Sequence, residues 1–156
     1  FNQWKQNSII SLNTLCEYSP SLNITVENHG GFSSNGKYLA EVMKSITLDN
    51  CGTLPDFGNF CIKGSPNPSN LNVCKKWYDR YEGINDLMPY AKALSAKSYD
   101  FDENGDEKYI DYYKMMKIVN NHPYKGYIGI EYEGNRLSED EGIIATKKLL
   151  EKIINS

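Results

Sequence analysis

Apolar segments of two different periods take turns along this chain, and that alternation limits its fold more than any other feature. Helical spacing marks residues 5–18, with Ile9, Leu12, Leu15 and Cys16 on one side and Pro20 just past the end. LNITVEN at 22–28 reads as a buried strand. The pattern then repeats. A helix at 36–46 follows a serine cap at Ser33 or Ser34, a short strand at 51–58 runs into a loop, and a helix at 77–88 stops at Pro89. Beyond it come a strand at 92–98, a helix at 112–121 and a strand at 126–134. Ser138 and Glu141 form a capping box before a last helix, GIIATKKLLEKIIN. GSPNPSN at 64–70 reads as loop. The order is thus one helix and four strand–helix units, with no two-residue hairpin turn between strands. Strict alternation implies an α/β fold with a parallel sheet and helical crossovers.

Such a sheet is either open and doubly wound or part of a β/α barrel. Strand parity separates the two. Ile24 and Val26 share one face while Thr25 and Glu27 share the other. Leu94 and Ala96 oppose Ser95 and Lys97, and Ile128 and Ile130 oppose Gly129 and Glu131. A doubly wound sheet is covered by helices on both faces and wants both apolar. A barrel has an inner face whose upper layer can be polar. No glycine-rich phosphate loop of the dinucleotide or P-loop type is present. Three of the four strands also end on a carboxylate, at Glu27, Asp56 and Glu131, and the fourth carries Lys97. Parallel α/β proteins build their sites at these carboxyl ends. One such glutamate is ordinarily a solvated or capping group; three in register point to a shared site.

Other classes are disfavoured. The 156 residues suit one domain, and with 40% apolar and 24% charged residues a packed core is expected rather than disorder. Net charge is −3 with no Lys/Arg-rich run, so nucleic acid is not the expected partner. No apolar run approaches the ~18 residues of a membrane span, so no membrane partner is expected. Four cysteines without a C-x-x-C pair, and only two histidines, argue against structural zinc. Cys61 and Cys74 bracket the Pro/Asn/Ser-rich loop; free thiols are the plainer reading and a disulfide the other. DFDENGDEKYID at 100–111 has the alternating acids of a calcium loop. However, a strand precedes it, its eighth position is Glu107, and its last is Asp111 rather than glutamate, so it reads as a strand–helix loop with Asp111 as N-cap. The glycosylation match NIT at 23–25 falls inside a buried strand and is discounted.

ITVENHGG (24–31), TLPDFGNF (53–60), YDRYEGINDLMPYAKALSAKSYDFDENGD (78–106) and PYKGYIGIEYEGNRLSEDEGI (123–143) resemble the sugar phosphate isomerase/epimerase proteins of the xylose-isomerase-like TIM-barrel superfamily. The resemblance covers nearly all of residues 20–154 and implies a partial (β/α)8 barrel, its C-terminal half, strands five to eight. A full barrel needs about 250 residues, and Phe1 is not a methionine, so the chain is expected to be a fragment. It also implies a divalent metal held by Glu27, Asp56 and Glu131. The family's strand-seven histidine falls at Ser95, and its second histidine at Asn59, which can offer a carbonyl oxygen. This oxygen-rich set suits Mg²⁺ or Mn²⁺ better than Zn²⁺. The superfamily's DNA-repair members need a histidine-rich zinc cluster that two histidines cannot build.

The activity so implied is isomerisation or epimerisation of a small sugar or sugar phosphate, with Glu27 and Glu131 as the proton-transfer pair. His29, Lys97 and Arg136 are candidate substrate contacts, and Glu133 lies further out with the parity of Glu131. A non-catalytic carbohydrate-binding barrel is the rival reading. The half-barrel alone is expected to be inactive and to need its missing N-terminal half, or self-association, to cover two open sheet edges.

Overall fold

The computed structural model describes residues 1–64 and 73–156. Helix α1 (Asn2–Tyr18) leads into strand β1 (Ile24–Glu27), helix α2 (Gly36–Met43) and strand β2 (Cys51–Leu54). Strands β3 (Cys61–Gly64) and β4 (Cys74–Trp77) follow, then helix α3 (Arg80–Leu87) and a 3₁₀ turn at Met88–Tyr90. The chain ends with β5 (Leu94–Ser98), α4 (Tyr112–Asn120), β6 (Ile128–Tyr132) and α5 (Glu139–Ile154). The expected capping box opens α5, and Asp111 caps α4 by accepting the Lys114 N–H. The cap of α2 differs from expectation. Asn35 accepts the Tyr38 N–H, while the hydroxyls of Ser33 and Ser34 turn back to the His29 and Gly30 N–H groups.

The parallel strands run in sequence order. β1 pairs with β2, and β5 pairs with β6. Parallel bridges Thr53–Ala91 and Asp56–Ser95 join the two pairs, supported by N–H bonds from Lys92 to Thr53 and from Ser95 to Pro55, each 3.0 Å. Parity holds as expected. Leu94 and Ala96 lie in the core, and Ile24, Val26, Ile128 and Ile130 pack against it with residues of the helices. Thr53, in register with Val26, is on that same face and donates to the Leu87 carbonyl of α3.

One element departs from strict alternation. β3 and β4 form an antiparallel hairpin in which a Cys61–Cys74 disulfide joins the first residue of each strand, leaving Cys16 and Cys51 as free thiols. Trp77 therefore belongs to a strand rather than to a helix. α3 begins three residues later because the Asp79 carboxylate caps it, accepting the Tyr81 and Glu82 N–H groups. The predicted loop at 64–70 lies outside the described residues except for Gly64, the last residue of β3.

The α2–α3 crossing depends on two glycines. A Cβ on Gly36 would lie 2.8 Å from the Gly83 Cα, and one on Gly83 would lie 2.1 Å from the Phe60 ring. Phe60 is fully buried and directly follows Asn59. Gly83→Ala should therefore overpack this contact and lower stability by about 1–3 kcal/mol, read as a lower urea midpoint; an unchanged midpoint would contradict so close an approach.

Candidate active site

Parallel register assembles the site. Glu27 is the last residue of β1, Asp56 follows β2 by two residues, and Lys97 of β5 lies opposite Glu131 of β6. One carboxylate oxygen each from Glu27, Asp56 and Glu131 lies within 4.8 Å of the others. The three strand-end acids thus converge as the sequence implied.

Lys97 stands beside them. Its side chain is fully buried, and its Nζ donates to Glu131 at 2.8 Å and pairs with Glu133 at 3.0 Å. Burial works to lower the Lys97 ammonium, yet Asp56, Glu131 and Glu133 outweigh it and raise it above the ordinary lysine value. Burial likewise works to raise Glu131. The Lys97 ammonium, the Ser95 hydroxyl at 2.9 Å and the nearby His29 outweigh it and hold the carboxyl below its ordinary value. Asp56 is different. Burial dominates and pushes its carboxyl up to about 7, against the pull of Lys97.

The loop after β2 is fixed by a residue that no pattern in the sequence singles out. Asn28, fully buried, donates to the Asp56 and Asn59 carbonyls at 3.0 and 3.2 Å and accepts the Asp56 N–H at 2.7 Å. Its only signal was its place directly after Glu27. Asp56 Oδ1 accepts the Gly58 and Asn59 N–H groups, each at 2.8 Å, and Asn59 Nδ2 donates to Glu27 at 2.7 Å. Two oxygens remain. Asp56 Oδ2 and Asn59 Oδ1 are buried and have no hydrogen-bond partner among the described residues. Orphaned acceptors beside three converging carboxylates fit a hard divalent cation, which takes oxygen ligands.

His29 is exposed just beyond Glu27. Arg136 is engaged elsewhere in the loops, donating to Asp100 at 2.5 Å and to the Phe101 carbonyl at 2.9 Å. In the loop at 100–111 the acids serve the loop itself. Asp102 accepts the Asn104 and Asp106 N–H groups, and Glu107 accepts those of Tyr99, Asp100, Tyr109 and Ile110.

The arrangement of parallel strands with a polar carboxyl edge has a counterpart among known proteins. A sequence profile described as "Xylose isomerase-like TIM barrel" matches residues 3–153. The chain belongs to this family. Among solved structures, a xylose isomerase-like TIM barrel protein from Mycobacterium smegmatis, crystallised in complex with magnesium, superposes with a TM-score of 0.64 at 17% identity. That superposition covers 99% of this chain and 51% of the neighbour, and at this identity it shows the fold alone. Among curated proteins, the C-glycoside deglycosidase alpha subunit of Arthrobacter globiformis is 36% identical over 66 residues, which are 40% of this chain and 19% of that protein. The matches therefore cover about half the length of the solved relative and a fifth of the curated one.

The buried Asp56 has a consequence for this barrel chain free of metal. A carboxyl whose pKa is raised on folding holds its proton more tightly folded than unfolded. Its contribution to stability falls as pH climbs from about 4, the unfolded value, to about 7. Asp56→Asn keeps an Oδ1 acceptor and has no proton to lose. In excess EDTA, the Tm of this variant relative to the parent should be higher at pH 8 than at pH 5. A difference that does not change with pH would refute the buried-carboxyl account.

Proposed function

We propose that this chain carries the proton-transfer centre of a sugar or sugar-phosphate isomerase or epimerase, acting at the carbon next to a carbonyl. The supporting observation is the convergence of Glu27, Asp56 and Glu131 within 4.8 Å, with Asp56 Oδ2 and Asn59 Oδ1 lacking a hydrogen-bond partner among the described residues. Removing such a proton and returning it to another carbon or another face needs a base, an acid and stabilisation of the enediolate between them. Glu27, with one oxygen fixed by Asn59, is one member of the pair. Glu131, fixed by Ser95 and Lys97 and held ionised, is the other. The Lys97 charge biases Glu131 toward accepting rather than holding a proton at rest. His29, exposed just beyond Glu27, would meet a substrate hydroxyl.

Glu27, Asp56, Glu131 and the Asn59 carbonyl oxygen would hold a divalent cation. Their all-oxygen character favours Mg²⁺ or Mn²⁺ over Zn²⁺, in keeping with the magnesium in the Mycobacterium smegmatis relative. When bound, the cation would polarise the substrate oxygens and so make the neighbouring proton more acidic.

A second reading has one observation behind it, the stretch shared with the C-glycoside deglycosidase subunit. Loss of a proton next to a carbonyl is also the first step in eliminating a group from the adjacent carbon, so the same pair could serve bond cleavage.

We assign the chain to strands five to eight of the barrel. Among the described residues, β1 pairs only with β2, and β6 only with β5, so each keeps one free edge. Substrate contacts from a further half would position the reacting carbon, and positioning carries a large share of such a barrier. In D₂O with Mg²⁺ or Mn²⁺, the chain joined to a matching half should incorporate deuterium into one ketose of a panel. Glu27→Gln and Glu131→Gln should each reduce that rate by roughly 10²-fold or more. Product analysis separates isomerisation from cleavage. Binding without any exchange would favour the non-catalytic barrel, and equal exchange by the chain alone would refute its assignment as half a site.

A further inference from the structure

We propose that Arg80 receives the anionic group of the substrate, so that the site takes a phosphorylated or carboxylated sugar in preference to a neutral one. This deepens the proton-transfer reading and rests on it for the word substrate. Arg80 is the first residue of α3, and the segment before it pairs with the residues that follow Asn59. The Tyr78 N–H donates to the Phe60 carbonyl at 2.9 Å, and Trp77 is in register with Cys61, so this segment runs beside Asn59. The Arg80 guanidinium lies over the Trp77 ring, 5.8 Å from its centroid. Its Nη1 is buried and has no hydrogen-bond partner among the described residues.

The neighbouring acids are committed elsewhere. Asp79 caps α3, Glu82 pairs with Lys37, and Asp86 accepts the Tyr78 hydroxyl. Tyr99 stands against the loop that carries Asp56. Its hydroxyl would lie 2.6 Å from a Cβ on Gly58, two residues past Asp56. Burial pushes the Tyr99 hydroxyl up, Asp56 and Glu133 add to that push and Arg80 opposes it, so all of them act on one group. A buried guanidinium N–H left unpaired is costly, more so than a neutral donor. A sugar hydroxyl would satisfy the hydrogen bond but not the charge. A carboxylate or phosphate satisfies both and matches the planar fork of arginine.

The chain has two tryptophans, Trp4 and Trp77, so Trp4→Phe leaves Trp77 as the sole indole reporter beneath Arg80. In this background and constant MgCl₂, the full chain would be titrated with fructose 6-phosphate, glucuronate and fructose. A saturable change in Trp77 emission is expected with at least one anion, at a Kd roughly tenfold or more below that of fructose. Which anion binds distinguishes phosphate from carboxylate. Arg80→Gln should raise that Kd by roughly tenfold or more, while Arg80→Lys, which keeps the charge, should lie between the two; circular dichroism checks that both variants fold. Fructose binding as tightly as both anions, no saturable change with either anion, or an unchanged Kd in Arg80→Gln would overturn the proposal. Arg80-dependent anion binding with no deuterium exchange even by the chain joined to a matching half would instead sink the proton-transfer reading and leave the anion site standing.

Discussion

A buried ammonium has to be paired, and much of this chain's polar edge is arranged around the one at Lys97. Three carboxylates gathered within 4.8 Å repel one another. The Lys97 charge offsets that repulsion from inside, through direct contacts to Glu131 and Glu133 and its attraction to Asp56. The pairing is available because two parallel strands put Lys97 opposite Glu131, and because the Asp56–Ser95 bridge sets the neighbouring strand beside them. The Tyr112 hydroxyl, itself buried, donates to the Lys97 carbonyl and fixes the strand from the helix side. Secondary-structure register and site electrostatics are therefore one arrangement.

A different economy governs the loop after β2. Its backbone groups are met by Asn28, by the Asp56 carboxylate and by the Ser34 hydroxyl, which donates to the Asn59 carbonyl at 2.6 Å. With so much of the loop satisfied, the two oxygens left over carry meaning. Among the described residues, Asp56 Oδ2 and Asn59 Oδ1 have no partner, and a cation there would find them already positioned. The hairpin stapled by Cys61–Cys74 continues from this loop and returns through Trp77 to Arg80. There the Arg80 guanidinium lies over the Trp77 ring.

Periodicity in the sequence determined the parallel α/β class, the four parallel strands and the faces taken by the residues of three of them. Such patterns depend on residues close together in the chain, as do the capping box at Ser138 and the cap at Asp111. The carboxylates of Glu27, Asp56 and Glu131 were legible for the same reason, since parity and strand ends put them on one edge. Tertiary structure alone decided the rest. The Cys61–Cys74 pairing, the strand that claims Trp77, the Asn28 clamp on Asp56, the contact of Arg136 with Asp100 and the burial of the Arg80 Nη1 each depend on which distant segments meet. Asn28 lies 28 residues from Asp56, and Arg136 lies 36 residues from Asp100. Side chains with several donors or acceptors, such as Asn28 and Arg80, have no preferred partner in a local pattern; their bonds are chosen only once packing has excluded water and left each polar group to whatever lies within reach.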